Sequence, residues 1–266
     1  MVLEPDIPYD CVYLSPHLDD AVLSCGGSIW QQAQAGERVL VVTVFAGAPP
    51  TDALLSPFAR ELHTRWGHLD DAVAQRREED RAALTLLGAE AVHWPYTDCI
   101  YRQTPDGRFP YASEGALWGE VHVAEMGLIS ELADRVTALP LSPHNADTLV
   151  HAVRAPLGIG YHVDHQIVRR AVESSGRALL YYEDYPYAKD RQAVQAALQP
   201  EGGEWRAGLV ALSEEALRAK IAAIACYRSQ LSTFWTGLTE MSAEIRAFAK
   251  LTGSGRPAER YWVLVT

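Results

Sequence analysis

His17, Asp19 and Asp20 stand together in the stretch Leu14-Ser15-Pro16-His17-Leu18-Asp19-Asp20. His17 and Asp20 are three apart, so one tight turn can aim both at a single point, while Asp19 must point elsewhere. Two ligands and a spare base are what a hydrolytic metal site needs. A second cluster, His162-Val163-Asp164-His165, lies far along the chain, and its two histidines share one face of a helix's first turn. If both clusters face one crevice, His165 completes a two-histidine, one-aspartate set with His17 and Asp20. Three protein ligands leave a position open for water, the pattern of a catalytic zinc. The set keeps a formal charge of about +1 on the ion, which depresses the pKa of an attached water toward roughly 7.

Strands and helices must bring the clusters together. The apolar run Cys11 to Leu14 reads as a buried strand entering the first cluster, and Gly26-Gly27 followed by Ser28 to Ala33 reads as a helix leaving it. Val39 to Phe45 is too continuously apolar to be half exposed. Residues 70–87 read as a helix stopped by Gly88, and residues 91–94 as a strand. Residues 104–113 read as a surface excursion, 114–139 as largely helical, 147–153 as a fourth strand, 162–174 as a helix and 178–182 as a fifth strand. The tail reads as a strand near 206–212, a helix over 213–227 and a final strand over 261–265. Alternation of this kind predicts right-handed crossovers and one Rossmann-like α/β domain over residues 1–266, with a mostly parallel sheet flanked by helices. Ligands bind such sheets at the carboxyl edge, where both clusters fall. Gly158-Ile159-Gly160 is too short a glycine pattern to indicate a dinucleotide.

The 266 residues are 48% hydrophobic and 21% charged, an ordinary globular composition. With 23 Lys+Arg against 34 Asp+Glu, the net charge of −11 argues against a nucleic-acid partner, because phosphate backbones would be repelled. The four cysteines form no CxxC pair and read as reduced. No leader pattern and no run of 18 apolar residues is present, so a cytoplasmic enzyme without a membrane span is expected, a homo-oligomer being compatible with the sequence.

The two His/Asp clusters, Pro-His-Leu-Asp-Asp and His-Val-Asp-His, resemble those of the PIG-L/LmbE-like family of zinc-dependent N-acetylglucosaminyl de-N-acetylases. Further landmarks extend the resemblance over most of the chain: Arg76-Arg77-Glu78-Glu79-Asp80, Tyr96-Thr97-Asp98 followed by Ile100-Tyr101-Arg102, Pro156 to Gly160, Tyr182 to Tyr187 and Tyr227 to Gln230. Leu18 and Ala21 stand where the family commonly has Pro and Glu. The resemblance implies that His17, Asp20 and His165 bind the metal, Zn2+ or another divalent ion such as Fe2+. It implies that Asp19 is the general base and that His162 stabilises the oxyanion; Asp164, two residues on, is placed to hold that imidazole charged and oriented, as a carboxylate does in hydrolytic triads. Arg76 and Asp98 are expected to contact a small amino-sugar substrate.

Blander readings stand beside these. Residues 78–80 fit a solvated helix face paired with Arg76 and Arg81, worth tenths of a kcal/mol per pair. His63, His68, His93, His122 and His151 lack partners at ligand spacing, and His144 and Asp147 precede a strand, on the wrong edge. Tyr181, Tyr182, Tyr185 and Tyr187 can line a sugar site or pack the sheet. Two other functions fit the same residues: a zinc amidase on a non-sugar N-acyl or thiol-conjugate amide, and a non-catalytic sugar-binding module. No GxSxG elbow supports a serine hydrolase.

Overall fold

Cys11–Ser15 (β1) and Val39–Thr43 (β2) are buried at every position, as strands covered by helices on both faces must be. They belong to a computed structural model of the chain that describes residues 8–50, 52–66, 72–142, 152–199 and 203–265. Glu90–His93 (β3), Val153–Pro156 (β4), Leu179–Tyr182 (β5), Glu204–Ala211 (β6) and Ala258–Val265 (β7) complete one sheet of order β3-β2-β1-β4-β5-β7-β6. The first five strands in that order pair in parallel. β7 runs antiparallel to β5, and β6 antiparallel to β7. The strand order reverses between β1 and β4, the place along the carboxyl edge where such sheets bind ligands.

Alternation along β1 and β2 divides the core. Cys11, Tyr13, Val39 and Val41 face helices Asp20–Gln34 (α1), Ala72–Leu87 (α3), Glu214–Ile224 (α7) and Leu238–Thr252 (α9). Val12, Leu14, Leu40 and Val42 face Met126–Thr137 (α4) and Val163–Ser174 (α5). The short helices are Pro57–Arg65 (α2), Arg191–Ala197 (α6) and Arg228–Phe234 (α8).

Several expectations shift. Gly26-Gly27 does not precede the first helix but lies inside it: α1 starts at Asp20. A Cβ on Gly27 would meet Leu212 at 2.7 Å, so something must shift to admit one, and one on Gly26 would crowd Lys220 at 3.1 Å; α1 packs closely here. The 114–139 stretch is two 3-10 turns, Glu114–Trp118 and Val123–Glu125, followed by α4. β4 begins at Val153; the strand expected over 147–153 otherwise lies outside the described residues, as do His68, His144, Asp147 and His151. The tail holds α8 and α9 beyond what periodicity suggested. Glu79 and Asp80 are buried rather than solvated: Glu79 accepts from Ser229 Oγ (2.6 Å), and Asp80 from Tyr227 Oη (2.7 Å). Only Glu78 keeps an exposed pair, with Arg81.

Candidate metal centre

The turn between β1 and α1 is built so that its acidic side chains stay available. Ser15 Oγ accepts the Ala21 N–H (3.0 Å) and donates to the His17 carbonyl (2.6 Å). Asp19 occupies the N-cap position of α1, yet its carboxylate caps nothing. Its φ of 154° is one that residues with a Cβ seldom adopt, at a cost of about 1–3 kcal/mol, and such strain concentrates at functional sites. Asp20 Oδ2 accepts the His17 N–H at 2.8 Å, closing the turn.

The second cluster opens α5. His162 is the N-cap, its Nδ1 accepting the Asp164 N–H (3.2 Å), and Asp164 and His165 follow in the first turn. The β1–β4 pairing carries both turns to one point. Asp20 Oδ2 lies 3.3 Å from His17 Nδ1 and 3.3 Å from His165 Nε2. The ring centroid of His162 stands 4.9 Å from that of His17 and 5.3 Å from that of His165, and the three imidazoles can bring one nitrogen each within 4.8 Å of one another. Thus the structure brings together His17, Asp20, His162 and His165, with Asp19 beside them.

Asp20 stands to each of two imidazoles as one ligand of a tetrahedral cation stands to another. Two donors each about 2.0–2.1 Å from such an ion stand about 3.3 Å apart, the separation Asp20 shows to both imidazoles. Each of these imidazoles also has its far nitrogen on a carboxylate. His17 Nε2 lies 2.9 Å from Asp164 Oδ2, and His165 Nδ1 lies 2.6 Å from Asp184 Oδ1. Carboxylate–histidine pairs of this kind fix the tautomer that presents a lone pair to a metal. Without the ion the same carboxylates favour protons. Burial opposes the charge on His165, but Asp20 and Asp184 outweigh it and raise its pKa to about 9. His17 is likewise raised, against its burial, by Asp98, Asp164 and Asp20. Asp19 is raised to about 7, by burial first and then by Asp20, with Arg76 and His17 pulling the other way.

Asp164 differs from its expected place. Its carboxylate does not pair with the His162 ring; it meets His17, Arg102 Nη2 (2.5 Å) and the Cys99 N–H (3.0 Å). His162 contacts it only through the backbone, and burial, followed by His17, holds the His162 pKa well below its ordinary value. With Nδ1 accepting, the proton of a neutral His162 resides on Nε2.

Arg76 is buried with Nη2 at 3.7 Å from Asp19 Oδ2, and its Nε has no hydrogen-bond partner among the described residues. Asp98 Oδ2 stands 3.6 Å from His17 Nε2. Of the four tyrosines, Tyr187 reaches the site: its ring lies 6.1 Å from that of His165 and 5.2 Å from Trp118, which itself stands 5.1 Å from His162. Tyr182 donates to the Leu14 carbonyl (2.9 Å), and Tyr185 stacks on Trp235, both as packing. Asp184 and Arg102 stand in landmarks of the family resemblance but were given no site role from sequence, and Trp118 was not singled out. A signal existed for Asp184, which follows β5 at the same edge as His17. Gly158 and Ile159 both donate to its Oδ2 (2.9 and 3.0 Å), which is the work of the glycine turn.

The chain matches the family model described as PIG-L: GlcNAc-PI de-N-acetylase over residues 12–175. It is 28% identical over 193 residues to 2'-N-acetylparomamine deacetylase of Niallia circulans, a match that spans 66% of each protein. Among solved structures, the zinc-inhibited form of teicoplanin deacetylase Orf2 superposes with a TM-score of 0.79 at 32% identity, covering 96% of this chain and 97% of that one. The A40926 pseudoaglycone deacetylase Dbv21 does so with a TM-score of 0.75 at 31% identity, covering 96% of each. Among the described residues, no helix is long and apolar enough to cross a membrane. The paired clusters at the carboxyl edge and these matches agree: the chain belongs to the PIG-L, or GlcNAc-PI de-N-acetylase, family and is an amide-hydrolysing enzyme.

Proposed function

We propose that the protein removes the acetyl group from an N-acetylglucosamine-type residue carried on a larger molecule, using a divalent cation, zinc in the first instance, held by His17, Asp20 and His165. The observation that carries this reading is the single oxygen Asp20 Oδ2, 3.3 Å from both His17 Nδ1 and His165 Nε2, with the Asp19 carboxylate, which caps no helix N–H and has Arg76 at 3.7 Å, next to it. The ion, when bound, supplies Lewis-acid chemistry, lowering the pKa of a water toward about 7 and polarising the amide carbonyl.

The remaining roles belong to the chain. Asp19 takes a proton from the attacking water and is matched to that task by its elevated pKa, which a nearby cation would draw down from about 7. Water adds its oxygen to the acetyl carbon, the C–N bond breaks, and Asp19 returns the proton to the departing amine, giving acetate and a free amino sugar. Neutral His162 donates its Nε2 proton as a hydrogen bond to the developing oxyanion, so a protonated ring is not required. Trp118 is about one-third exposed at the rim, beside His162 and Tyr187, where an indole can cover a pyranose face. The similarity to deacetylases of 2'-N-acetylparomamine and teicoplanin favours a sugar substrate over a plain N-acyl amine. Acetate release is to be measured from N-acetylglucosaminyl glycosides and from simple N-acetyl amines, with metal content assayed in parallel. Release from the glycosides only, dependent on stoichiometric metal, is expected; equal release from both classes contradicts the sugar assignment.

A further inference from the structure

We infer that Arg102, braced by Glu125, is a positioning residue for the metal centre: it fixes the Asp164 carboxylate that aims His17. The inference rests on the assignment of His17, Asp20 and His165 as metal ligands and deepens it. Arg102 follows the 3-10 turn Cys99–Tyr101, and four of its five N–H donors have acceptors. Nε donates to Glu125 Oε1 (2.5 Å), and Nη1 to the Thr97 carbonyl (3.0 Å). Nη2 is shared between Glu125 Oε2 (3.1 Å) and Asp164 Oδ1 (2.5 Å). The guanidinium lies over the rings of Phe45, at 4.8 Å, and Tyr111, at 5.7 Å. Glu125 is itself held, because Tyr111 Oη donates to its Oε2 (2.8 Å) and in turn accepts the His122 N–H (2.8 Å).

Asp164, fully buried at the inner end of this chain, has no freedom left. Oδ1 is committed to Arg102, and Oδ2 receives the Cys99 N–H and faces His17 Nε2 at 2.9 Å. A carboxylate so anchored places the His17 proton on Nε2 and leaves the Nδ1 lone pair directed at the point shared with Asp20 and His165. Lysine keeps the charge but lacks the planar fork that joins two carboxylates at once, so the geometry requires arginine in particular. Ion pairing alone would also hold the 99–125 segment in place, and the two roles make different demands on the metal.

The test uses the metal-stripped full chain titrated with Co2+, whose visible bands report coordination geometry, together with thermal melting without metal. Arg102→Ala is expected to bind Co2+ about 10–100-fold more weakly than wild type, with altered bands. Arg102→Lys should fall between the two and Glu125→Gln should lose less; these two carry the test if the alanine variant does not fold. In an Asp164→Ala background, Arg102→Ala should add little, because its effect runs through that carboxylate. Wild-type Co2+ affinity and bands in the Arg102 variants, with only the melting temperature lowered, would overturn the inference. A wild-type chain that takes up no Co2+, or a His17→Ala variant that binds it as well as wild type, would overturn the ligand assignment and this inference with it.

Discussion

The two candidate ligand histidines are supported in opposite ways. His165 leans on Asp184, whose other oxygen is fixed by the backbone amides of Gly158 and Ile159. His17 leans on Asp164, which takes one backbone amide, that of Cys99, and whose other oxygen is fixed by a side-chain chain through Arg102 and Glu125. One arm is anchored by a turn of the main chain, where sequence change at neighbouring side chains matters little. The other is anchored by side chains from the excursion after β3, where substitution can retune it. Asp20, at the junction, binds the two arms through one oxygen.

The strongest way to break the comparison is to remove an arm. His165→Ala is expected to lose stoichiometric metal and all measurable turnover, read by metal analysis and acetate release; His17→Ala should do the same, because either removal leaves two protein ligands. Asp19→Asn is expected to keep its metal and lose about 10²–10⁴-fold in kcat, the usual contribution of a positioned base. Equal metal content and equal turnover in the His165 and Asp19 variants would refute both assignments.

Removing a brace separates the arms more finely. Asp184→Asn and Asp164→Asn should each weaken metal binding about 10–100-fold. Only Asp184→Asn should speed amide hydrogen exchange at Gly158 and Ile159, whose acceptor it weakens. The smallest effect per step is pH. Metal binding must displace protons from raised imidazoles, His165 near 9 among them, so affinity should rise with pH up to about 9. The slope is roughly tenfold per pH unit for each proton released, read by titration calorimetry in buffers of different ionisation enthalpy. A flat profile between pH 6 and 8 would mean that the rings bind metal without losing protons.

The closeness of His17 to Asp20, and of His162 to His165, was legible in sequence because a tight turn and a helix's first turn each impose local geometry. The mostly parallel character of the sheet was legible through the alternation of strands and helices. What was not legible depends on tertiary contact. Gly26 and Gly27 read as a break, yet they sit in α1, where Lys220 and Leu212 pack closely against them. Glu79 and Asp80 read as a solvated face, yet α8 and Tyr227 bury them. Asp164 was paired with His162 by proximity in sequence, whereas its carboxylate reaches across to His17 and Arg102. Antiparallel β7 was missed because a strand's direction is set by where the chain returns, and nothing in eight residues encodes that.

Anomalous scattering from a zinc-soaked crystal tests the central claim most directly. One strong peak is expected about 2.0–2.2 Å from His17 Nδ1, Asp20 Oδ2 and His165 Nε2, with Asp19 unligated. A peak bonded instead to His162 and Asp164, or none at the carboxyl edge between β1 and β4, would contradict that claim.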